Sequence, residues 1–315
     1  MRGVVCIAIT WLLVLSGCLN PTESDVEPLI EEGPLRLCNG MEILCERSYD
    51  NVTFPETHNS FATHEDGIYY PASNHETGFQ SQWDAGMRAF MLDTHYATQS
   101  NEDTDEVRFC HGDDDRGFSP CFYGEVSPGE WLDSLSQRMN ESQNDTVTLL
   151  IENDVQADHL FEVINASIPS TNWYVHQLNS TWLTLSQLID AETRLVIFWE
   201  QAANDAHPYF HDFGTHSWTT NYAEEETEDM NCEIYRGDGN QEVFHMNSWL
   251  RGPLGLSDPN RAAEANDVEF LVERVEECIE LHGKRPTFIA VDWWQDGDVV
   301  EAARLANLMD TPAET

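Results

Sequence analysis

Val52-Thr53-Phe54-Pro55-Glu56-Thr57-His58-Asn59-Ser60 is the stretch on which the fold turns. Val52 to Pro55 has the composition of a strand, and it runs out where an imidazole and a carboxamide stand side by side. A histidine at a strand end titrates near neutral pH and can serve as general base or acid. Three further extended segments also end on chemically useful side chains: Phe90-Met91-Leu92-Asp93, Val107-Arg108-Phe109-Cys110-His111 and Val147-Thr148-Leu149-Leu150-Ile151-Glu152. Strands that repeatedly terminate in a functional group are what a TIM-type β/α barrel supplies, because its active site is built from the carboxyl ends of several strands.

Working outward, apolar spacing predicts helices over 79–86, 128–140, 158–166, 183–191, 268–282 and 299–308. Strands are expected over 89–93, 146–152, 194–199, 243–246 and 286–292, the last ending on Asp292. Alternation of this kind indicates a parallel sheet. A barrel of this type uses roughly 250 residues, so a single catalytic domain over 37–310 is the economical organisation. A hairpin-like acidic loop is expected over 99–106. Arg88 reads as a member of a structural ion pair, and Lys284 and Arg285 fall at the end of the barrel opposite the site. His64 and His75 read as exposed loop histidines. Between 201 and 241 the pattern breaks into a long segment carrying His207, His211, His216, Trp218 and Tyr222. Its aromatic half suits a substrate rim or a membrane-facing surface, its acidic run a solvated face, and its histidines an alternative second metal site.

The first 17 residues carry Arg2, a short apolar run and Ser16-Gly17-Cys18, the layout of a secretory signal. Leu15-Ser16-Gly17-Cys18 also resembles a lipobox, in which Cys18 is lipidated and holds the protein on the outer face of a membrane; plain signal cleavage and secretion is the alternative. Residues 18–36 then form a flexible tether. Setting aside Cys6 and Cys18 leaves six of the eight cysteines, and export to an oxidising compartment predicts disulfides. Cys38 with Cys45 and Cys110 with Cys121 are close enough to form local loops, which leaves Cys232 with Cys278. No Cys-x-x-Cys spacing supports zinc instead. Five Asn-x-Ser/Thr sequons, at Asn51, Asn140, Asn144, Asn165 and Asn179, permit glycosylation.

The formal charge is −42, from 57 acidic against 15 basic residues with a single lysine, Lys284. A field of that sign repels phosphate backbones, so nucleic acid is excluded as a partner, and it concentrates cations. The scattered acids suit a high-salt exterior, where screening shortens the reach of repulsion.

The strand-end groups are His58, Asn59, Asp93, His111, Glu152 and Asp292. Two imidazoles can divide the work of base and acid, while Asn59, Asp93 and Glu152 offer only oxygen ligands, the set a hard cation such as calcium prefers. A cation there would neutralise charge on a phosphoryl oxygen, which points to phosphodiester cleavage. At these residues the chain resembles the catalytic X region of phosphatidylinositol-specific phospholipase C and the wider family of phospholipase C-like phosphodiesterases, most of all its secreted, cysteine-containing branch. The matching pieces are 54–60, 86–95, Cys110-His111-Gly112, Leu150-Ile151-Glu152-Asn153, and 288–294 with Asp296-Gly297. The resemblance implies a β/α barrel in which His58 is the general base, His111 the second catalytic histidine, and Asn59, Asp93 and Glu152 the metal ligands. Asp292 would orient His58, and His95 stands beside the site as a substrate contact or a structural residue. In family chemistry the inositol 2-hydroxyl attacks phosphorus, diacylglycerol leaves and a cyclic phosphate forms. The metal-independent bacterial branch has an arginine at the position of Asp93, so its absence here favours a metal. This chain departs from the calcium-dependent branch at Met91, where a glutamate ligand is expected. Cationic side chains for an inositol phosphate are also few.

The expected partner is therefore a phospholipid or another phosphodiester, with a membrane reached through the lipid anchor. A catalytically weak barrel used as a surface binding or adhesion module is the alternative from another class. A phosphodiesterase acting on a non-inositol substrate is the alternative within this one; the glycerophosphodiester type opens on His-Arg-Gly, unlike His58-Asn59-Ser60.

Overall fold

In a computed structural model, residues 35–99, 102–112, 120–200, 206–252 and 255–311 are described; the signal segment, nearly all of the tether and Cys18 lie outside them. Nine strands build one sheet: β1 (Phe54–Thr57), β2 (Ala89–Gln99), β3 (Glu102–Phe109), β4 (Val147–Asn153), β5 (Leu195–Trp199), β6 (Phe210–Asp212), β7 (Ser217–Thr219), β8 (Val243–Ser248) and β9 (Phe288–Val291). Eight of them run parallel in the order β6-β5-β4-β2-β1-β9-β8-β7, and β3 folds back antiparallel on the far half of β2. The helices are α1 (Phe79–Ala85), α2 (Pro128–Glu141), α3 (Ala157–Ser167), α4 (Leu185–Asp190), α5 (Phe213–His216), α6 (Ala262–Ala265), α7 (Val268–His282) and α8 (Val299–Ala306). The sheet curls into the TIM-type β/α barrel that the strand-helix alternation calls for. Among the described residues no ladder joins β6 to β7, and the single turn of α5 carries the chain across that seam.

Period-2 alternation sorts the strand residues between two cores. Phe90, Leu92, Leu149, Ile151, Ile197, Phe244, Met246 and Ile289 face outward and meet Trp131, Leu132, Leu271 and Ala302 on the surrounding helices. Phe54, Leu150, Phe198 and Phe288 point into the lumen, where Tyr49 and Trp182 stack at 4.8 Å and close its lower end. The lumen also contains a carboxyl–imidazole contact: His245 Nε2 lies 2.5 Å from Glu56 Oε2, with both residues buried.

All three expected disulfides form, Cys38–Cys45, Cys110–Cys121 and Cys232–Cys278, with Cα separations of 5.0 to 5.2 Å that suit the bond. Arg88 pairs with Asp145 at 2.9 Å beneath the barrel, as expected. Arg285 is buried at the amino end of β9, bonded to the carbonyls of Ala306 and Met309. Three expectations need correction. The strand expected to stop at Asp93 continues to Gln99, and much of the acidic segment 102–106 is ladder, because β2 and β3 stabilise each other beyond the barrel rim. Segment 201–241 is not one long loop: it holds β6, β7 and α5, three-residue strands too short to leave a periodic signal. His75 is completely buried rather than exposed. Among the described residues no helix is long and apolar enough to cross a membrane.

Candidate active site

The turn after β1 is fixed from three sides. His58 N–H donates to Val291 O at the end of β9 and Ser60 N–H to Met91 O on β2, so His58-Asn59-Ser60 lies across the carboxyl ends of three neighbouring strands. Asn59 takes a left-handed backbone, φ 48°, which asparagine tolerates better than most residues. Gln82 of α1 locks the turn by accepting from the hydroxyls of Thr57 and Ser60 and donating to Ser60 O.

His58 is thereby presented with one ring nitrogen committed. Its Nδ1 lies 2.8 Å from Asp292 Oδ1, and Asn74 Nδ2 donates to the same oxygen at 2.8 Å. Burial alone would raise the Asp292 carboxyl; His58, followed by His75 and Ser257, outweighs it and holds the group below its ordinary value. A carboxylate in that position fixes the His58 tautomer, with the proton on Nδ1. Nε2 is left without a hydrogen bond to the described residues, on a ring whose side chain is 18% exposed. Trp249, just past β8, stacks on the ring at 4.2 Å with the planes 1° apart. His75 adds a third support from Nε2 to His58 O at 2.7 Å; burial pushes its own pKa down to about 4, so it is a neutral positioning residue.

Asp292 is anchored in turn. Asn266 donates its amide to the carbonyls of Asp292 and Trp293, and Trp293 Nε1 donates to Ser257 Oγ. Gly297 passes so close to Asn266 that a Cβ there would collide with its backbone, which accounts for the glycine in Asp296-Gly297.

His111 reaches the same mouth by another route. Because β3 returns antiparallel, it places Phe109 opposite Thr94 and brings His111 back over the end of the barrel. The ring centroids of His58 and His111 are 6.3 Å apart at 75°. His111 Nδ1 bonds Ala72 O at 3.1 Å, and burial, with the charge of His58 second, lowers its pKa to about 4.

Beside the imidazoles stands the acidic group. Asp93 and Glu152 are direct neighbours in the β2/β4 register. Burial first, then Glu152 and Glu200, holds Asp93 well above the usual carboxylate range; burial, then Glu200, pushes Glu152 up to about 7. The Asn59 carboxamide stands 2.8 and 3.2 Å from the two Asp93 carboxyl oxygens: turned with its nitrogen toward them it donates to both, and turned the other way it presents its carbonyl to the same point. Two enclosed carboxyls side by side with a carboxamide at hand form an oxygen donor set of the kind a hard cation takes. The structure thus brings together all six residues singled out in the sequence. His95 is buried and pairs with Asp154 at 3.2 Å.

Sequence reasoning missed four contributors. Trp249, Asn74 and His75 carry no motif and become visible only when β8 and the loop after β1 meet. Glu200, the residue directly after β5, also belongs to the acidic group: it lies within electrostatic reach of Asp93 and Glu152, and Arg236, from the segment that breaks the pattern, pairs with it at 3.1 Å.

The family profile of PI-PLC X matches residues 44–307. The chain belongs to the PI-PLC X family. Two proteins of Arthroderma benhamiae are similar to it along most of its length. An uncharacterized secreted protein is 26% identical over 90% of this chain, which spans 66% of that protein's length. A PI-PLC X domain-containing protein 1 is 25% identical over 86% of this chain and 89% of its own. Solved bacterial structures share the fold: the F249X mutant of phosphatidylinositol-specific phospholipase C from Staphylococcus aureus matches with a TM-score of 0.56 at 14% identity, covering 84% of this chain and 94% of that one. Phosphatidylinositol-specific phospholipase C from Listeria monocytogenes gives 0.56 at 13%, covering 82% and 94%. Fold and family are those of the PI-PLC-like phosphodiesterases.

Proposed function

We propose that this PI-PLC X protein is an exported phosphodiesterase that cleaves a phosphatidylinositol-type phospholipid by histidine acid/base catalysis with the help of a bound calcium ion. The observation that carries this is His58: Nδ1 committed to Asp292, Nε2 unspent, and a second imidazole and an acidic group around the same opening. His58 Nε2 takes the proton of the inositol 2-hydroxyl, whose oxygen attacks phosphorus. His111 gives a proton to the departing diacylglycerol oxygen, and a cyclic phosphate forms. A ring with a pKa near 4 is a poor acid donor at neutral pH in the free protein; a phosphodiester anion beside it favours the protonated form and readies it for that step.

Asn59, Asp93 and Glu152 would hold the cation, with Glu200 adding the carboxylate that Met91 does not provide. Bound calcium would offset the charge that builds on the phosphoryl oxygens. Three disulfides and a secreted relative support export, and Cys18 would carry a lipid anchor.

Turnover of phosphatidylinositol vesicles, but not phosphatidylcholine vesicles, is expected with calcium and should stop on chelation. Turnover that persists in chelator would remove calcium from the account, and a binding module would turn over neither lipid.

Two further outcomes follow from the site. Asp292→Asn removes the carboxylate that fixes the His58 tautomer and should lower kcat by about two orders of magnitude or more with KM nearly unchanged, read from initial rates on short-chain substrate. The acidic group sets a pH dependence. Glu152 in the folded chain sits at about 7 against an ordinary 4.5, so its contribution to stability is complete below about 4.5 and is lost as pH rises through 7 when no cation is present. Calcium should therefore bind more tightly at pH 8 than at pH 6, release protons on binding, and raise the melting temperature more at the higher pH. Calorimetry in buffers of different ionisation enthalpy measures the proton release.

A further inference from the structure

At the end of the barrel opposite the mouth, three side chains converge that the phosphodiesterase chemistry does not use. His176 follows the segment that bridges to the amino end of β5, His216 ends α5 just before β7, and Glu242 immediately precedes β8. His176 Nε2 lies 2.8 Å and His216 Nδ1 3.4 Å from the same oxygen, Glu242 Oε2, and one ligand atom from each residue falls within 4.8 Å of the other two. A tetrahedral zinc ion with bonds of about 2.1 Å asks for ligand separations of about 3.4 Å. Both contacts to the carboxylate are already near or inside that span.

The surroundings are built to hold this group in place. His211 on β6 has both ring nitrogens occupied, Nδ1 donating to Ile197 O and Nε2 accepting from the backbone N–H of His176, each at 2.8 Å; it fixes the neighbouring chain and is not itself a ligand. Trp182 stacks on the His176 ring at 3.7 Å and donates Nε1 to Glu242 Oε2, and Asn179 N–H donates to Glu242 Oε1. Among the described residues, buried His176 Nδ1 has no hydrogen-bond partner. Glu242, 17% exposed, leaves a way in from solvent. Two imidazoles and a carboxylate form a borderline donor set that selects zinc over calcium.

We propose that His176, His216 and Glu242 form a structural zinc site that staples the open seam of the barrel. His176 belongs to the β5/β6 side, while His216 and Glu242 belong to β7 and β8, and no ladder joins β6 to β7 among the described residues. An ion shared by the three supplies the link that the sheet lacks there.

The test is zinc uptake by the folded, disulfide-bonded protein in millimolar calcium, with competition against a chromophoric chelator and a parallel thermal melt. One zinc per chain is expected at micromolar or lower dissociation constant, with a higher melting temperature and X-ray absorption showing imidazole nitrogen in the first shell. His216→Ala should weaken uptake at least tenfold and erase the thermal shift, while His58→Ala should leave both unchanged. Should His216→Ala not fold, the same comparison is made with His216→Gln. No stoichiometric uptake at ten micromolar free zinc would overturn the proposal, as would uptake that survives loss of His216 but disappears with His58.

Discussion

His58→Ala is expected to lower turnover of phosphatidylinositol by two to four orders of magnitude, the range that a positioned general base contributes. At 1.36 kcal/mol per tenfold this is roughly 3–5 kcal/mol of transition-state stabilisation. The ring is held by the bond to Asp292 and the stack on Trp249, so its removal leaves the surface of the barrel untouched. Vesicle co-sedimentation should therefore be unchanged. His58→Gln, which keeps a donor for Asp292, should be as inactive as the alanine variant while melting closer to the wild type. If both variants kept wild-type turnover, the proton would be leaving by another route and the base would have to be sought elsewhere at the mouth.

Glu56→Ala is expected to be the most damaging single change to stability. The Glu56 carboxyl and His245 imidazole meet inside the lumen, both buried, so truncating one leaves the other enclosed without its partner. Removing half of a buried pair costs roughly 3–5 kcal/mol. For a domain of this size that is a fall in melting temperature on the order of 10 °C. Replacing both partners with apolar residues of similar volume should recover much of the loss. Urea unfolding followed by tryptophan fluorescence measures both; a loss under 1 kcal/mol for Glu56→Ala would mean that water reaches the pair.

The barrel was legible because its strands are apolar runs that end abruptly. Val147 to Ile151 and Phe288 to Val291 are buried along their whole length, and such segments announce themselves whatever surrounds them. Glu152 and Asp292 stand out for the same reason, as the first polar residues after such a run. The antiparallel return of β3 was half visible. Its strand character and His111 could be read, but its pairing with an extended β2 depends on a ladder beyond the barrel rim. The three-residue strands β6 and β7 left no trace, since their burial comes from their neighbours and not from any periodicity. Trp249, Asn74 and His75 escaped because each acts through contact with a residue distant in sequence: Trp249 meets His58 only because β8 lies beyond β9 in the sheet. His75 looked like a surface histidine because its neighbours in sequence are polar. Its burial comes instead from the fold of the loop, where His75 N–H donates to Ala62 O and its ring reaches back to His58.

Phosphorus NMR of phosphatidylinositol incubated with the protein in calcium tests the central claim most directly. The phosphodiester resonance is expected to be replaced first by that of a cyclic inositol phosphate, with His58→Ala leaving the substrate signal intact over the same interval. Conversion straight to an acyclic monoester with no cyclic species, or conversion that proceeds equally in His58→Ala, would contradict it.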